Sequence, residues 1–277
     1  MSKHSKAYQA YQVFKYSIYI LLCYNLYVFF MDDLSASLQT YPNGIQLAEF
    51  VVAYSTTIDT ASWIILLLIF ELETYIIEDE NISGFNRWLM NVIKAVAYLF
   101  IAYSAFGYLA KTLFIMDYVP VVFDDVCALV GSSYTYVADL DDYLPITQEV
   151  CAQLTNQALY QIHGTQIIGT VDALNSAVML AWTDVVNAMT WLVIVAILEV
   201  DVILQLKGKF TGKAFKFSQI AKMVLYGILF ACAVYWGFNG EFIDFWDAFL
   251  WLLAFFFIEM NIFEWHKETE QHQHVST

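Results

Sequence analysis

The sequence predicts an all-α integral membrane protein: six helical spans, built from three two-helix repeats, with one extramembrane insertion. Three observations predict it. The first is composition: of 277 residues 60% are hydrophobic and only 14% charged, against about 25% charged in a soluble domain. Several apolar runs reach the roughly 20 residues that a bilayer core demands of a helix. The second is a figure that recurs three times, WIILLLIFELE at Trp63–Glu73, WLVIVAILEVD at Trp191–Asp201 and WLLAFFFIEMN at Trp251–Asn261. Glu71, Glu199 and Glu259 follow their tryptophans at one spacing; Glu73, Asp201 and Asn261 come two later, and Asp59, Asn187 and Asp247 stand four before each tryptophan. The third is a second marker: Lys15, Lys94 and Lys222 each open an apolar run and are followed four residues on by Tyr19, Tyr98 and Tyr226.

The markers alternate strictly as Lys15, Trp63, Lys94, Trp191, Lys222, Trp251, and the gap from Glu71 to Lys94 equals that from Glu199 to Lys222. Within those gaps Ser83-Gly84 aligns with Thr211-Gly212. Each unit is therefore a lysine helix followed by a tryptophan helix, with units at about 13–77, 91–206 and 221–264. Every unit begins on the same side, which makes this a parallel repeat of the kind that builds many membrane folds.

The first span is expected over about Val13–Met31, emerging at Asp32-Asp33. Tyr41-Pro42-Asn43-Gly44 is a turn signal, and the second span runs from about Gln46 to Ile77, longer than a bilayer needs. Glu78–Gly84 is a polar turn, Trp88 marks an interfacial segment, and the third span covers about Asn91–Met116. Residues 118–166 form the insertion, punctuated by Pro120 and Pro145 and holding turn-forming residues with little apolar core of their own. Thr147-Gln148-Glu149 is a helix start. The fourth span begins before Asp172 and runs to Leu206, the fifth covers about Ala221–Phe238, and the sixth follows the acidic turn at Glu241 and Asp244. The tail from Glu264 is polar.

Charge orients this bundle. Lys and Arg cluster at the N-terminus, at Arg87–Lys94, at Lys207–Lys222 and at Lys267, whereas no Lys or Arg lies between Lys111 and Lys207. That gap carries Asp117, Asp124, Asp125, Asp139, Asp141, Asp142 and Glu149. The positive-inside bias then places both termini in the cytoplasm and the insertion outside. Cys127 and Cys151 both fall in the insertion, on the face where disulfides persist, so the sequence predicts a bond between them. Cys23 and Cys232 fall inside spans and read as small core residues. The basic, aromatic-studded Lys207–Lys222 loop is a topology determinant and a candidate site for an anionic lipid headgroup.

Glu71, Glu199 and Glu259 are the leading candidates for chemistry. From Trp to Glu is about 12 Å of helix, which puts tryptophans near mid-membrane and glutamates in one leaflet, where a charge is costly unless paired, hydrated or neutralised. Lys15, Lys94 and Lys222 open neighbouring helices at similar depth. Lys94 with Glu71 or Glu199, and Lys222 with Glu199 or Glu259, are the expected ion pairs. These carboxylates either fix helix register or line an ion path. Glu73 and Asp201, about 200° round the helix from the glutamates, read as solvated ends. Asp59 is crowded by Thr56, Thr57 and Thr60, and Trp63, Trp191 and Trp251 read as helix-packing residues. Glu264, His266, His272 and His274 in a polar tail lack the rigidity of a metal site, and Asp139–Asp142 lacks a glycine-anchored calcium loop.

No phosphate loop, HExxH, GxSxG or histidine box occurs, so no catalytic residue, metal or cofactor is expected. Three prolines and eleven glycines argue against the broken helices of many transporters. The expectation is a non-enzymatic membrane subunit that assembles in the lipid bilayer with itself or with other membrane subunits, and not with nucleic acid. The rival is an ion channel or ion-coupled transporter that uses the repeated carboxylates.

Overall fold

The first apolar run outlasts its expected length. In a computed structural model, which describes residues 6–41, 43–47, 49–72, 84–206 and 213–256, helix α1 spans Lys6–Thr40. It does not emerge at Asp32-Asp33, because Asp33 is only 3% exposed and accepts hydrogen bonds from the Thr57 backbone N–H (2.9 Å) and Thr57 Oγ1 (2.6 Å). A neighbouring segment of the same chain thus satisfies a carboxylate that the sequence alone assigns to water. The second expected span is also revised. It opens with a single turn, α2 (Phe50–Ala53), breaks at Tyr54 (φ −124, ψ 32) and resumes as α3 (Ser55–Glu71).

Helix α4 runs unbroken from Gly84 to Met116, absorbing the interfacial segment expected around Trp88. It packs against α3 on one side and against α6 (Val171–Leu206) on another. Gly107 permits the closest approach: a Cβ there would lie 2.9 Å from the Val51 carbonyl oxygen and 3.1 Å from Ser55 Cβ. Helix α7 spans Lys213–Asn239, and residues 242–256 form a further helix, α8. Among the described residues four helices are long and apolar enough to cross a membrane: Gln9–Thr40, Gly84–Met116, Val171–Asp201 and Ala214–Asn239.

The insertion corrects the all-α expectation. It folds into a five-stranded sheet in the order β1-β4-β5-β2-β3, with β1 Tyr118–Val121, β2 Thr135–Asp139, β3 Asp142–Pro145, β4 Leu159–Ile162 and β5 Ile167–Thr170. All neighbours are antiparallel except β2 and β5. Nor does it lack a core. Side chains alternate along each strand: Val137, Tyr143, Ile162 and Ile167 point to Ile115, Leu174, Ala177 and Ala181 of α4 and α6, with Ala36 of α1. Leu159 and Ile168 point the opposite way, to a second core with Ile146, Cys151 and Leu154. Strands of four or five residues hold too little periodicity to be told from turns, which is why the sheet was invisible.

Helix α5 (Gln148–Leu154) starts where the sequence placed it, capped by Thr147, whose side chain accepts from the Val150 N–H. The Cys127–Cys151 disulfide ties α5 to a 3-10 turn at Val126–Leu129, with the Cα atoms 5.0 Å apart. Of the other cysteines, Cys232 is buried as expected, but Cys23 is exposed on its helix surface.

The chain divides into two units: residues 26–232, which hold the sheet, and a smaller one of residues 1–25 with 233–277. In the smaller unit Asn25 Nδ2 donates to Asp247 Oδ1 (2.8 Å), and Trp251 packs on Phe255 with ring centroids 6.3 Å apart. An aromatic ladder of Phe242, Phe245, Trp246 and Phe249 runs along α8.

Candidate functional site

The larger unit concentrates its ionisable groups where the sheet meets the helix ends. Lys111, near the end of α4, pairs with Asp141 in the β2–β3 turn. Asp141 is held at φ 65, a left-handed conformation that costs an L-residue roughly 1–2 kcal/mol and that Asp tolerates better than most. The turn thereby aims its carboxylate at the lysine. Asp33 of α1 and Asp184 of α6 add negative charge around the same ammonium. One cation on α4 thus holds together carboxylates from two other helices and a strand turn.

One turn of α4 further from the sheet, the Tyr108 hydroxyl donates to Asp59 Oδ2 at 3.4 Å, and Asp33 and Asp184 also lie within its electrostatic reach. Asp59, crowded by threonines in the sequence, therefore has a partner on α4, while Thr57 serves Asp33. A cavity of about 20 Å³ opens beside Lys111, lined among others by Thr40, Tyr41, Asp141 and Tyr143. Tyr143 is buried, and desolvation, reinforced by Asp141, pushes its phenol well above the ordinary range. Burial raises Tyr41 as well.

The opposite end of the same unit carries the repeated carboxylates. Glu71 closes α3, only 3% exposed. Glu199 differs: it lies exposed on α6, where Tyr98 Oη of α4 donates to its Oε1 at 3.2 Å. The buried acid on α6 is instead Asp201, 8% exposed, which accepts from Ser218 Oγ and pairs with Lys222 Nζ at 3.3 Å. This corrects two expectations. Asp201 is not a solvated end, and the partner that the structure gives Lys222 is Asp201, not Glu199. The reason is the side of α6 on which α7 packs, which the helix's own sequence does not encode.

Lys94 is half-buried on α4. Lys15 is fully buried on α1, its ammonium 5.0 Å from the Tyr16 ring centroid. Glu259, with Glu73, Asn261 and the tail histidines, lies outside the described residues, as does 207–212 of the basic loop; Phe215, Lys216 and Phe217 beyond it are exposed at the start of α7.

Between the two charged levels sits an aromatic layer. The rings of Trp63 and Trp191 lie 5.8 Å apart, and Trp191 meets Tyr226 of α7 edge-on at 6.4 Å. Two of the three repeat tryptophans thus touch, and each is under a tenth exposed.

The cluster around Lys111 was missed by reasoning from sequence, although one signal was present. Lys111 is the last Lys or Arg before a long stretch whose charged residues are acidic, and a lone lysine at the end of an apolar helix finds its counterions among them. No family model, curated protein or solved structure matches this chain.

Proposed function

We propose that this protein is a non-enzymatic subunit of a membrane assembly, either a homo-oligomer or a larger complex, that holds a rigid platform on the outer face of a six-span bundle. The observation that carries this reading is the seam between sheet and helices. One residue separates α4 from β1, none separates β5 from α6, and sheet and helices share one apolar core. Lys111 with Asp141 locks the seam. A platform so joined cannot swing on a linker, which suits a docking surface better than a moving lid.

In this reading α3 and α8, continued beyond the described residues, complete six spans with the four longer helices, in three repeats. Both termini and the Lys207–Lys222 loop are cytoplasmic, on the Lys/Arg distribution, with anionic lipid headgroups against the loop. The disulfide-bonded sheet then lies in an oxidising compartment, where such bonds persist. The rival, an ion channel or transporter built on the repeated carboxylates, draws support from the burial of Glu71. It is weakened by Glu199 and Asp201 each sitting in a separate pair.

Native mass measurement after extraction in mild detergent tests the reading. A defined multiple of the chain, or a stable complex with other chains, is expected. A monomer at every concentration that conducts ions in proteoliposomes would overturn it. Cysteine-accessibility labelling that put the sheet on the same side as the C-terminus would refute the topology.

A further inference from the structure

Among the described residues of the larger unit two buried polar atoms have no hydrogen-bond partner, Ser104 Oγ on α4 and Asn187 Oδ1 on α6. Other hydroxyls in α3, α4 and α6 satisfy themselves on the carbonyl four residues back: Ser62 on Ile58 (2.7 Å), Thr112 on Tyr108 (2.9 Å) and Thr190 on Val186 (2.6 Å). Ser104, 0% exposed, does not. An unmet hydrogen-bonding group is unfavourable inside a protein, and ordered water is its usual partner where several polar atoms converge.

The positions of the two atoms give them meaning. Ala105 and Tyr108 of α4 pack on Val185 and Ala188 of α6, so Ser104 and Asn187 sit at one level of that contact. Four residues after Ser104, toward the sheet, comes Tyr108, bonded to Asp59; four residues past Asp59 comes Trp63, its ring 5.8 Å from that of Trp191. The orphaned pair therefore lies between the carboxylates of the cluster around Lys111 and the tryptophan layer. From Lys111 to Ser104 the path is about 10 Å of helix. Its mouth is the cavity beside Lys111 and Asp141, of about 20 Å³, room for one water molecule.

We infer that this column is a water-filled proton half-channel, open to the sheet side and closed by Trp63 and Trp191. Three carboxylates (Asp33, Asp141, Asp184) share one ammonium, Lys111, and a fourth, Asp59, accepts from the Tyr108 hydroxyl beside them. A hydronium entering at the mouth gives its proton to a carboxylate, leaving a water and a carboxylic acid. The acid passes that proton on to water held at Ser104 and Asn187, and is a carboxylate again. No electron moves, and no co-reactant beyond water is needed. The tryptophan layer stops the chain of waters, so protons reach the middle of the bundle from one side only. This does not depend on the assembly reading, because it concerns solvent inside one chain.

The test uses the full chain in lipid nanodiscs, with Cys23→Ser and Cys232→Ser removing the free thiols. Ser104→Cys and, separately, Asn187→Cys are exposed to a small water-soluble methanethiosulfonate, beside Val193→Cys on the exposed surface of α6. Reaction at Ser104→Cys or Asn187→Cys on the order of tenfold faster than at Val193→Cys is expected, since only a hydrated thiol ionises to the reactive thiolate. Infrared difference spectra between acidic and alkaline buffer supply a proton-specific reading. A protonated-carboxyl band that shifts in heavy water and is lost in Asp59→Asn or Asp184→Asn is expected. If both introduced thiols react no faster than Val193→Cys, or if no such carboxyl band responds to pH, the half-channel is overturned.

Discussion

Lys111 shows how much one side chain can be asked to hold. Its ammonium is surrounded by carboxylates from α1, the β2–β3 turn and α6. Removing it leaves like charges with no counterion in a poor solvent, which costs about 3–5 kcal/mol. Lys111→Met should therefore lower stability by several kcal/mol in denaturant titrations of the detergent-solubilised protein. Asp141→Asn should be milder, because Asn keeps the left-handed turn at Asp141 and other acids remain near the lysine. The double variant Lys111→Met/Asp141→Asn should lie above the Lys111→Met single, since one stranded charge has gone with its partner. Equal stability of the wild type and Lys111→Met would remove the lysine from its central place.

At the scale of elements, the pairing of α6 with α7 turns on which acid faces the neighbour. Glu199 is exposed with a hydroxyl partner, whereas Asp201 is buried between Ser218 and Lys222. Asp201→Asn should accordingly destabilise the protein by several kcal/mol through the stranded Lys222, while Glu199→Gln should change the melting temperature little. The reverse order in a thermal-shift measurement would contradict this assignment. In the sheet, the 3-10 turn and α5 cover the second core and are joined by the Cys127–Cys151 bond. Loss of a cross-link that closes a loop of this length removes about 3 kcal/mol on the chain-entropy model. Cys127→Ser/Cys151→Ser should therefore sharply raise proteolysis of the sheet while leaving the apolar helices protected. Unchanged cleavage would mean that the apolar core alone holds the cover in place.

Across the molecule, the sheet and the larger unit's helices stand or fall together because the same side chains serve both. Tyr143 joins the shared apolar core and lies beside Asp141, and this gives the seam a pH dependence with a definite sign. Its phenol is raised in the folded chain by desolvation and then by Asp141, so the folded state binds the proton more tightly than the unfolded state. That stability is fully present below the unfolded value of about 10 and is lost as pH rises beyond it. Alkaline unfolding followed by circular dichroism should therefore begin above about pH 10, and Tyr143→Phe should flatten that limb. An identical alkaline limb in Tyr143→Phe would assign the loss to other groups.

Much of this was legible because it is local. Apolar runs long enough to span a bilayer become α1, α4, α6 and α7 whatever surrounds them, since in hydrocarbon a backbone must satisfy itself. Thr147 caps α5 within a few residues of chain, and Cys127 with Cys151 were the two cysteines in one acidic stretch between apolar runs. The repeat spacing named Trp63 and Trp191 before their rings were seen to meet. Tertiary structure decided the rest. Glu199 and Asp201 are two residues apart on one helix, and only the side on which α7 packs makes Asp201 the buried one. Asp33 looks like the end of a span until Thr57 arrives from α3, and Asp141 looks like a loop acid until Lys111 does. Strands as short as β1 and β3 carry almost no pattern of their own; they exist because β4 and β2 supply their hydrogen bonds and the helix ends supply the core that a four-residue segment lacks.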